Sequence, residues 1–162
     1  MCYNAPTSII YFCIISVVIF YLWRRNQNND RWFSLIFICI NLVQLGEFFI
    51  WRYLGNPKMN KFGTKIVKLS IYAQPLALFL GGFLIGNINK KYKKIFNIFV
   101  IIYTIIFGIE FIHVLFTKVM ISNKLGNHLT WDKDLFANTV FNNHIVNILY
   151  FISFLFLFFQ NS

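Results

Sequence analysis

Long apolar runs separated by short basic segments constrain this chain more than any other feature of its sequence. Five such runs occupy residues 8–23, 33–54, 66–86, 95–116 and 141–159. A helix needs about twenty consecutive apolar residues to cross the hydrocarbon core of a bilayer. Because backbone in lipid must satisfy its hydrogen bonds internally, runs of this length predict spanning helices. We therefore predict an all-α, polytopic transmembrane bundle of about five helices.

The composition agrees with a membrane protein and leaves no room for a second, soluble domain. Apolar residues make up 58% of the 162 residues and charged residues only 12%, whereas soluble domains are about a quarter charged. The whole chain, residues 1–162, is therefore interpreted as one transmembrane domain. The longest connection is the loop at residues 117–140, the only one large enough to hold structure outside the bilayer.

The net charge of +10 indicates a lipid surface as partner rather than a nucleic acid. The Lys and Arg residues cluster in the short segments between apolar runs, where membrane proteins place them beside headgroups. We therefore expect the lipid bilayer as partner, with anionic headgroups near the basic loops. Lys68 lies close enough to the start of the third run for its ammonium to snorkel outward. No cofactor is expected.

A few polar side chains interrupt the apolar runs, and the most informative is Glu47, near the middle of the second run. Placing an ionisable residue inside a membrane span costs free energy, so such a residue is by default a candidate functional residue. At about 100° per residue, the polar residues of each span fall on a narrow arc. The predicted buried polar cluster comprises Gln44, Glu47, Gln74, Glu110, His113 and Asn147.

The depth of these residues predicts that they converge. Glu47 and Glu110 both lie a few residues past the middle of spans that run in the same direction. Gln74 lies on the N-terminal side of the intervening span, and Asn147 near the beginning of the last. If the helices are regular, all four side chains lie at a depth within the same half of the bilayer. His128 and Trp131 form a loop motif that opens on that side.

Three roles for such a cluster stay open. The acids can be neutral and hydrogen-bonded between helices, which is ordinary interhelical contact in membranes. They can instead be relays in a pathway for protons or small ions, with Glu47 and Glu110 as the carriers. The third role is a metal-dependent intramembrane hydrolase.

The hydrolase hypothesis depends on Glu110 and His113, which are three residues apart and share a helical face. Carboxylate-bridged di-metal bundles contain this pair twice, and here it occurs once. The candidate metal ligands are Glu47, Glu110 and His113. A bound zinc ion would activate water for hydrolysis of a lipid amide or ester.

A stripe of small residues at Ala73, Ala77 and Gly81 allows another helix to approach closely. The simplest partner is a helix of the same chain. The alternative is a second copy, which would make the protein a homo-oligomer.

Several short motifs resemble a family of uncharacterised multi-pass membrane proteins of large DNA viruses. They are Gln44-x-x-Glu47-x-x-x-Trp51, Gln74-Pro75, and the loop sequence from His128 to Trp131. The resemblance implies a multi-pass helical fold located in a host or virion membrane, without an assigned activity. The prediction from the sequence is thus a multi-pass membrane protein in a non-enzymatic structural or assembly role.

Overall fold

The computed structural model describes residues 4–27, 29–85, 90–116, 121–125, 128–130 and 151 of the chain. Four helices follow one another: α1 (Ala5–Arg25), α2 (Asp30–Arg52), α3 (Pro57–Leu84) and α4 (Lys90–Phe116). Each of them is long and apolar enough to cross a membrane. The prediction of a multi-pass helical membrane protein is confirmed at this level. The count is four helices in the described part, and the predicted fifth span at 141–159 lies outside it, apart from Phe151.

A tight, charged turn joins α1 to α2. Asn26 ends α1 in the left-handed conformation, with φ 50°, which Asn tolerates better than most residues. Arg25 then donates two hydrogen bonds of 2.7 Å to the Asp30 carboxylate, and the Gln27 amide donates a third of 2.8 Å. Because Asp30 is also the first residue of α2, this network fixes the direction in which the chain re-enters the membrane.

Helix α3 begins nine residues earlier than the predicted span at 66–86. The Asn56 side chain accepts hydrogen bonds from the Lys58 and Met59 amides, and Pro57 occupies the first helical position. Both residues are preferred there, because the cap satisfies free amides and proline has none to lose. The basic segment at residues 58–65, which precedes the apolar run at 66–86, therefore belongs to the first turns of the helix.

Helices α2 and α3 run antiparallel and touch through their backbones. A Cβ atom at Gly63 would lie 2.7 Å from the Gly46 carbonyl oxygen, and one at Gly46 would lie 2.9 Å from the Gly63 carbonyl oxygen. At the other end of the pair, the Trp32 side chain packs on Gly81 and donates a 2.7 Å hydrogen bond to the Leu78 carbonyl. The small residues thus let the two helices approach over most of their length.

Helix α4 packs on α3 through an aromatic cluster. The Phe79 ring stacks on Phe99 and Tyr103, with centroids 5.0 and 5.1 Å apart, and meets Phe96 edge-on. Phe96 and Tyr103 are buried, and Glu110 continues the same seven-residue spacing on α4. One stripe of α4 therefore carries both the aromatic contacts and the buried acid.

A short antiparallel β-hairpin follows α4, within the predicted loop at 117–140. Strand β1 (Asn123–Leu125) pairs with β2 (His128–Thr130), and Leu125 lies opposite His128. Leu129 is buried and packs with Ile50 and Val67. The described residues are mostly helical, as predicted for an all-α fold. Within them, the hairpin is the only β structure.

The glycine contact between α2 and α3 makes a direct prediction. Gly63→Ala should lower the free energy of unfolding by about 1–3 kcal/mol, because its methyl group would overlap the Gly46 carbonyl. Unfolding in mixed detergent micelles measures this. The matched control is Gly108→Ala in α4, where a Cβ meets nothing within 4 Å. Equal stability of the two variants would contradict the close contact.

Candidate functional site

Three ionisable side chains are buried on the inner faces of α2, α3 and α4. Glu47 is 2% exposed, Lys68 4% and Glu110 0%. A charge removed from water inside a membrane protein requires a partner or a change of protonation state. Each of the three has an interacting partner within the protein. These residues, one from each helix, form the core of the candidate site.

Lys68 faces Glu110 across the contact between α3 and α4. Their charges interact electrostatically. The Lys65 ammonium, one turn before Lys68, donates a 3.0 Å hydrogen bond to the Leu115 carbonyl, which shows how the two helices are aligned. The prediction that Lys68 snorkels outward is wrong. Since α3 begins at Pro57, Lys68 is its twelfth residue and lies well inside the helix.

His113 stands beside Glu110 on α4, as their spacing predicted. Its Nδ1 atom is 3.9 Å from the Glu110 Oε2 atom, which is longer than a hydrogen bond. The His113 side chain is 24% exposed, whereas that of Glu110 is fully buried. The histidine therefore lies between the buried carboxyl and the surface of the bundle.

Glu47 is buried directly after the α2–α3 glycine contact. It follows Gly46 in the sequence and lies one turn before Ile50, which is fully buried against α3. Gln44, one turn earlier on α2, is half-buried and also has a partner within the protein. The polar arc predicted on α2 is thus placed at the level where the two backbones touch.

Gln74 is buried on α3 and has a partner within the protein. It is six residues beyond Lys68, which is about 9 Å along the helix and about 120° around it. That Gln74 shares one half of the bilayer with the two acids stays a prediction from the sequence.

Three further predicted site residues fall where the structure describes only the backbone or nothing. Asn147 and Trp131 lie outside the described residues. His128 is the first residue of β2, and its backbone pairs with Leu125.

A polar clasp ties the hairpin to α3 close to the candidate site. The Asn60 side chain donates to the Ser122 carbonyl and accepts from the Ser122 amide, both at 2.9 Å. The hydroxyls of Thr64 and Ser122 are also 2.9 Å apart. With Leu129 seated on Ile50, the hairpin covers the groove between α2 and α3 one turn from Glu47.

Sequence reasoning missed the clasp and two other polar contacts. Asn60 and Thr64 precede the apolar run at 66–86, so the sequence gives no reason to interpret their four-residue spacing as one helical turn. Asn41 donates a 2.9 Å hydrogen bond to Ser16 of α1 and therefore points away from the Glu47 arc. Trp32 directly precedes the apolar run at 33–54, a position where tryptophan is typical of a membrane interface, but it is 1% exposed. Ser16, in the middle of an apolar run, was the available signal for the contact between α1 and α2.

The proposed metal ligands do not assemble in this arrangement. Among the residues that the structure describes, no group of three or more His, Cys, Asp or Glu side chains could hold a metal ion. Glu47, Glu110 and His113 all belong to that part of the chain. Within the described residues, the geometry therefore provides no set of three ligands for the metal-dependent hydrolase.

The Gly81 end of the small-residue stripe on α3 packs against α2 of the same chain. A Cβ atom at Gly81 would lie 2.6 Å from Trp32 Cδ1 and 3.2 Å from Leu35 Cδ1. Packing between α2 and α3 thus accounts for the glycine at that position. Ala73 and Ala77 are half-buried.

The clasp predicts how the hairpin responds to one substitution. Asn60→Ala removes both hydrogen bonds to Ser122, so amide exchange in residues 121–125 and 128–130 should accelerate at least about tenfold. Hydrogen–deuterium exchange followed by mass spectrometry measures this. Asn97→Ala, at an exposed position of α4, is the control and should leave the hairpin protected. Unchanged exchange in Asn60→Ala would mean that Leu129 alone holds the hairpin.

Comparison with known proteins leaves the interpretation to the geometry. Searches against protein-family models, curated proteins and solved structures each found no match.

Proposed function

We propose that this protein is a non-enzymatic, multi-pass membrane protein whose buried ionisable cluster holds α2, α3 and α4 in one arrangement, in a structural or assembly role. The observation that carries the proposal is that Lys68 and Glu110, on neighbouring helices, are both buried and interact electrostatically. A buried ionisable group requires such a partner inside the protein.

Such a pair specifies structure more than it adds stability. An apolar contact can slide along a helix at little cost, whereas displacing Lys68 from Glu110 would leave two unpaired groups in a medium of low polarity. The hydrogen bond from Lys65 to the Leu115 carbonyl supports the same register from the neighbouring turn. The α3–α4 contact therefore has one favourable alignment, as a scaffold requires.

A double-mutant cycle tests this role. Lys68→Met should lower the free energy of unfolding by about 3–5 kcal/mol, because it leaves buried acid without its counter-charge. Adding Glu110→Gln should recover part of the loss, with a coupling of about 0.5–3 kcal/mol between the two sites. Unfolding in detergent measures all four proteins.

Lys65→Met is the matched control for that cycle. Lys65 is on the same helix, and its contact with α4 is exposed, so its loss should cost less than about 1 kcal/mol. If Lys68→Met and Glu110→Gln are additive, the pair does not hold the helices together, and the structural proposal fails.

The second candidate function is a pathway for protons, and the position of His113 favours it. This partly exposed imidazole is 3.9 Å from the buried Glu110 carboxyl. An imidazole has two ring nitrogens that can each accept or donate a proton, so it is suited to exchange a proton with such an acid. Glu47 and Glu110 would be the relays, as the sequence predicts.

Proteoliposomes separate the two functions. If the pathway operates, purified protein should dissipate a pH gradient, and Glu47→Gln should slow the dissipation because an amide cannot release a proton. Lys65→Met serves as the control and should conduct like the wild type. Flux equal to that of empty liposomes would remove the proton pathway and leave the structural role standing.

The remaining parts of the proposal concern location and partners. Basic residues flank the helices at several ends, including Arg24, Arg25, Lys93 and Lys94, which are exposed. Their charge supports contact with anionic headgroups. A host or virion membrane of a large DNA virus, and a homo-oligomer through Ala73, Ala77 and Gly81, stay predictions from the sequence.

A further inference from the structure

Two guanidinium groups at the turn between α1 and α2 lie over aromatic rings of α1. The Arg31 guanidinium carbon is 5.6 Å from the centroid of the Trp23 ring, and the Arg24 guanidinium carbon is 5.2 Å from the centroid of the Phe20 ring. Phe20 and Trp23 are three residues apart on α1 and are therefore neighbours on one face of that helix. The two cations thus lie over adjacent rings on one side of the α1–α2 pair.

The acid of this turn is bonded to a different arginine. Asp30 is the only acidic residue among residues 1–46. Both of its carboxylate oxygens accept hydrogen bonds of 2.7 Å from the Arg25 guanidinium. Within the part of the chain that the structure describes, Arg24 and Arg31 form no ion pair. Both cations are therefore available to an anion from outside the chain.

One donor of Arg31 indicates what kind of anion fits. Its Nε atom is buried and meets no hydrogen-bond acceptor among the described residues, whereas buried donors in native proteins nearly always have a partner. A water molecule would satisfy that hydrogen bond but would leave the charge uncompensated. A phosphate group supplies both, because its oxygens match the planar fork of N–H donors that a guanidinium presents.

The surface next to the cations identifies the source of the phosphate as a lipid. Helices α1 and α2 are both long and apolar enough to cross a membrane, and the turn lies at their shared end. From the ring of Phe20, an exposed apolar stripe continues along α1 through Val17, Ile14 and Ile10. Ile10 is ten residues from Phe20, which is about 15 Å along a helix and about half the thickness of the hydrocarbon core. The stripe therefore matches the acyl chains of one leaflet, for which a free phosphate has no counterpart.

We propose that Arg24 and Arg31 bind the phosphate of one anionic phospholipid, whose acyl chains lie along the exposed apolar stripe of α1. The headgroup is anionic because a zwitterionic one would bring its own ammonium beside two guanidinium groups. The inference rests on the proposed membrane location and headgroup contact, and it deepens that contact by assigning one lipid to two arginines.

The unaltered protein provides the first test. Native mass spectrometry of the purified protein in detergent, mixed with phosphatidylglycerol or with phosphatidylcholine, counts the lipids bound. One phosphatidylglycerol should bind with a Kd at least about tenfold lower than that of phosphatidylcholine, since two cations near a membrane surface each favour an anionic lipid. Excess inorganic phosphate should not displace it. Equal binding of the two lipids would overturn the site, and displacement by inorganic phosphate would overturn the lipid as its ligand.

Arg31→Lys separates recognition by the guanidinium from attraction by charge alone. Lysine keeps the charge but lacks the planar fork, so the Kd for phosphatidylglycerol should rise at least about fivefold. The matched control is Lys93→Gln, which removes a charge from an exposed residue over the Phe83 ring, at the same end of the bundle. This control should bind phosphatidylglycerol like the wild type.

Unchanged affinity in Arg31→Lys, or an equal loss in Lys93→Gln, would mean that charge alone attracts the lipid, and the site would be overturned. If Arg31→Lys does not fold, Arg24→Lys in the exposed last turn of α1 makes the same test. These measurements count bound lipid and record neither helix coupling nor proton flux. Failure of the lipid site is therefore distinct from failure of either proposed function.

Discussion

The close backbone approach of α2 and α3 is the contact on which the rest of the structure depends. Gly46 and Gly63 leave no room for a methyl group between the helices. Because this contact fixes both the register and the rotation of the pair, it also determines where Glu47 and Lys68 point. The buried ionisable cluster is thus a consequence of two glycines whose own chemistry is inert.

The polar contacts of the bundle follow one physical rule, namely that groups removed from water must find partners in the protein. Trp32 donates to a carbonyl of α3, Asn41 donates to Ser16, and Asn60 clasps the hairpin through Ser122. The ionisable side chains of Lys68 and Glu110 follow the same rule, because each interacts electrostatically with the other. Each of these contacts joins different elements of the fold, so the few polar side chains in the apolar runs specify which elements are neighbours.

The structural role and the proton pathway place different demands on the same residues. A scaffold requires only that the charges be compensated, which Lys68 and Glu110 achieve. A pathway requires in addition that a proton enter and leave, and the exposed fraction of His113 provides contact with the outside of the bundle. The hairpin, held by Asn60 and Leu129, covers the neighbouring end of the α2–α3 groove. While the hairpin stays in place, it therefore blocks access to Glu47 from that end.

The sequence by itself determined the membrane-spanning class, the approximate position of four helices, and the unusual status of Glu47 and Glu110. These follow from local properties, because the length of an apolar run and the cost of an intramembrane acid do not depend on distant residues. Only the tertiary structure decided that Lys68 is buried and that Asn41 turns to α1. The first depends on the capped start of α3 at Pro57, which places Lys68 well inside the helix. The second depends on which helices become neighbours, and a pattern within one helix cannot specify the residue that it will meet on another.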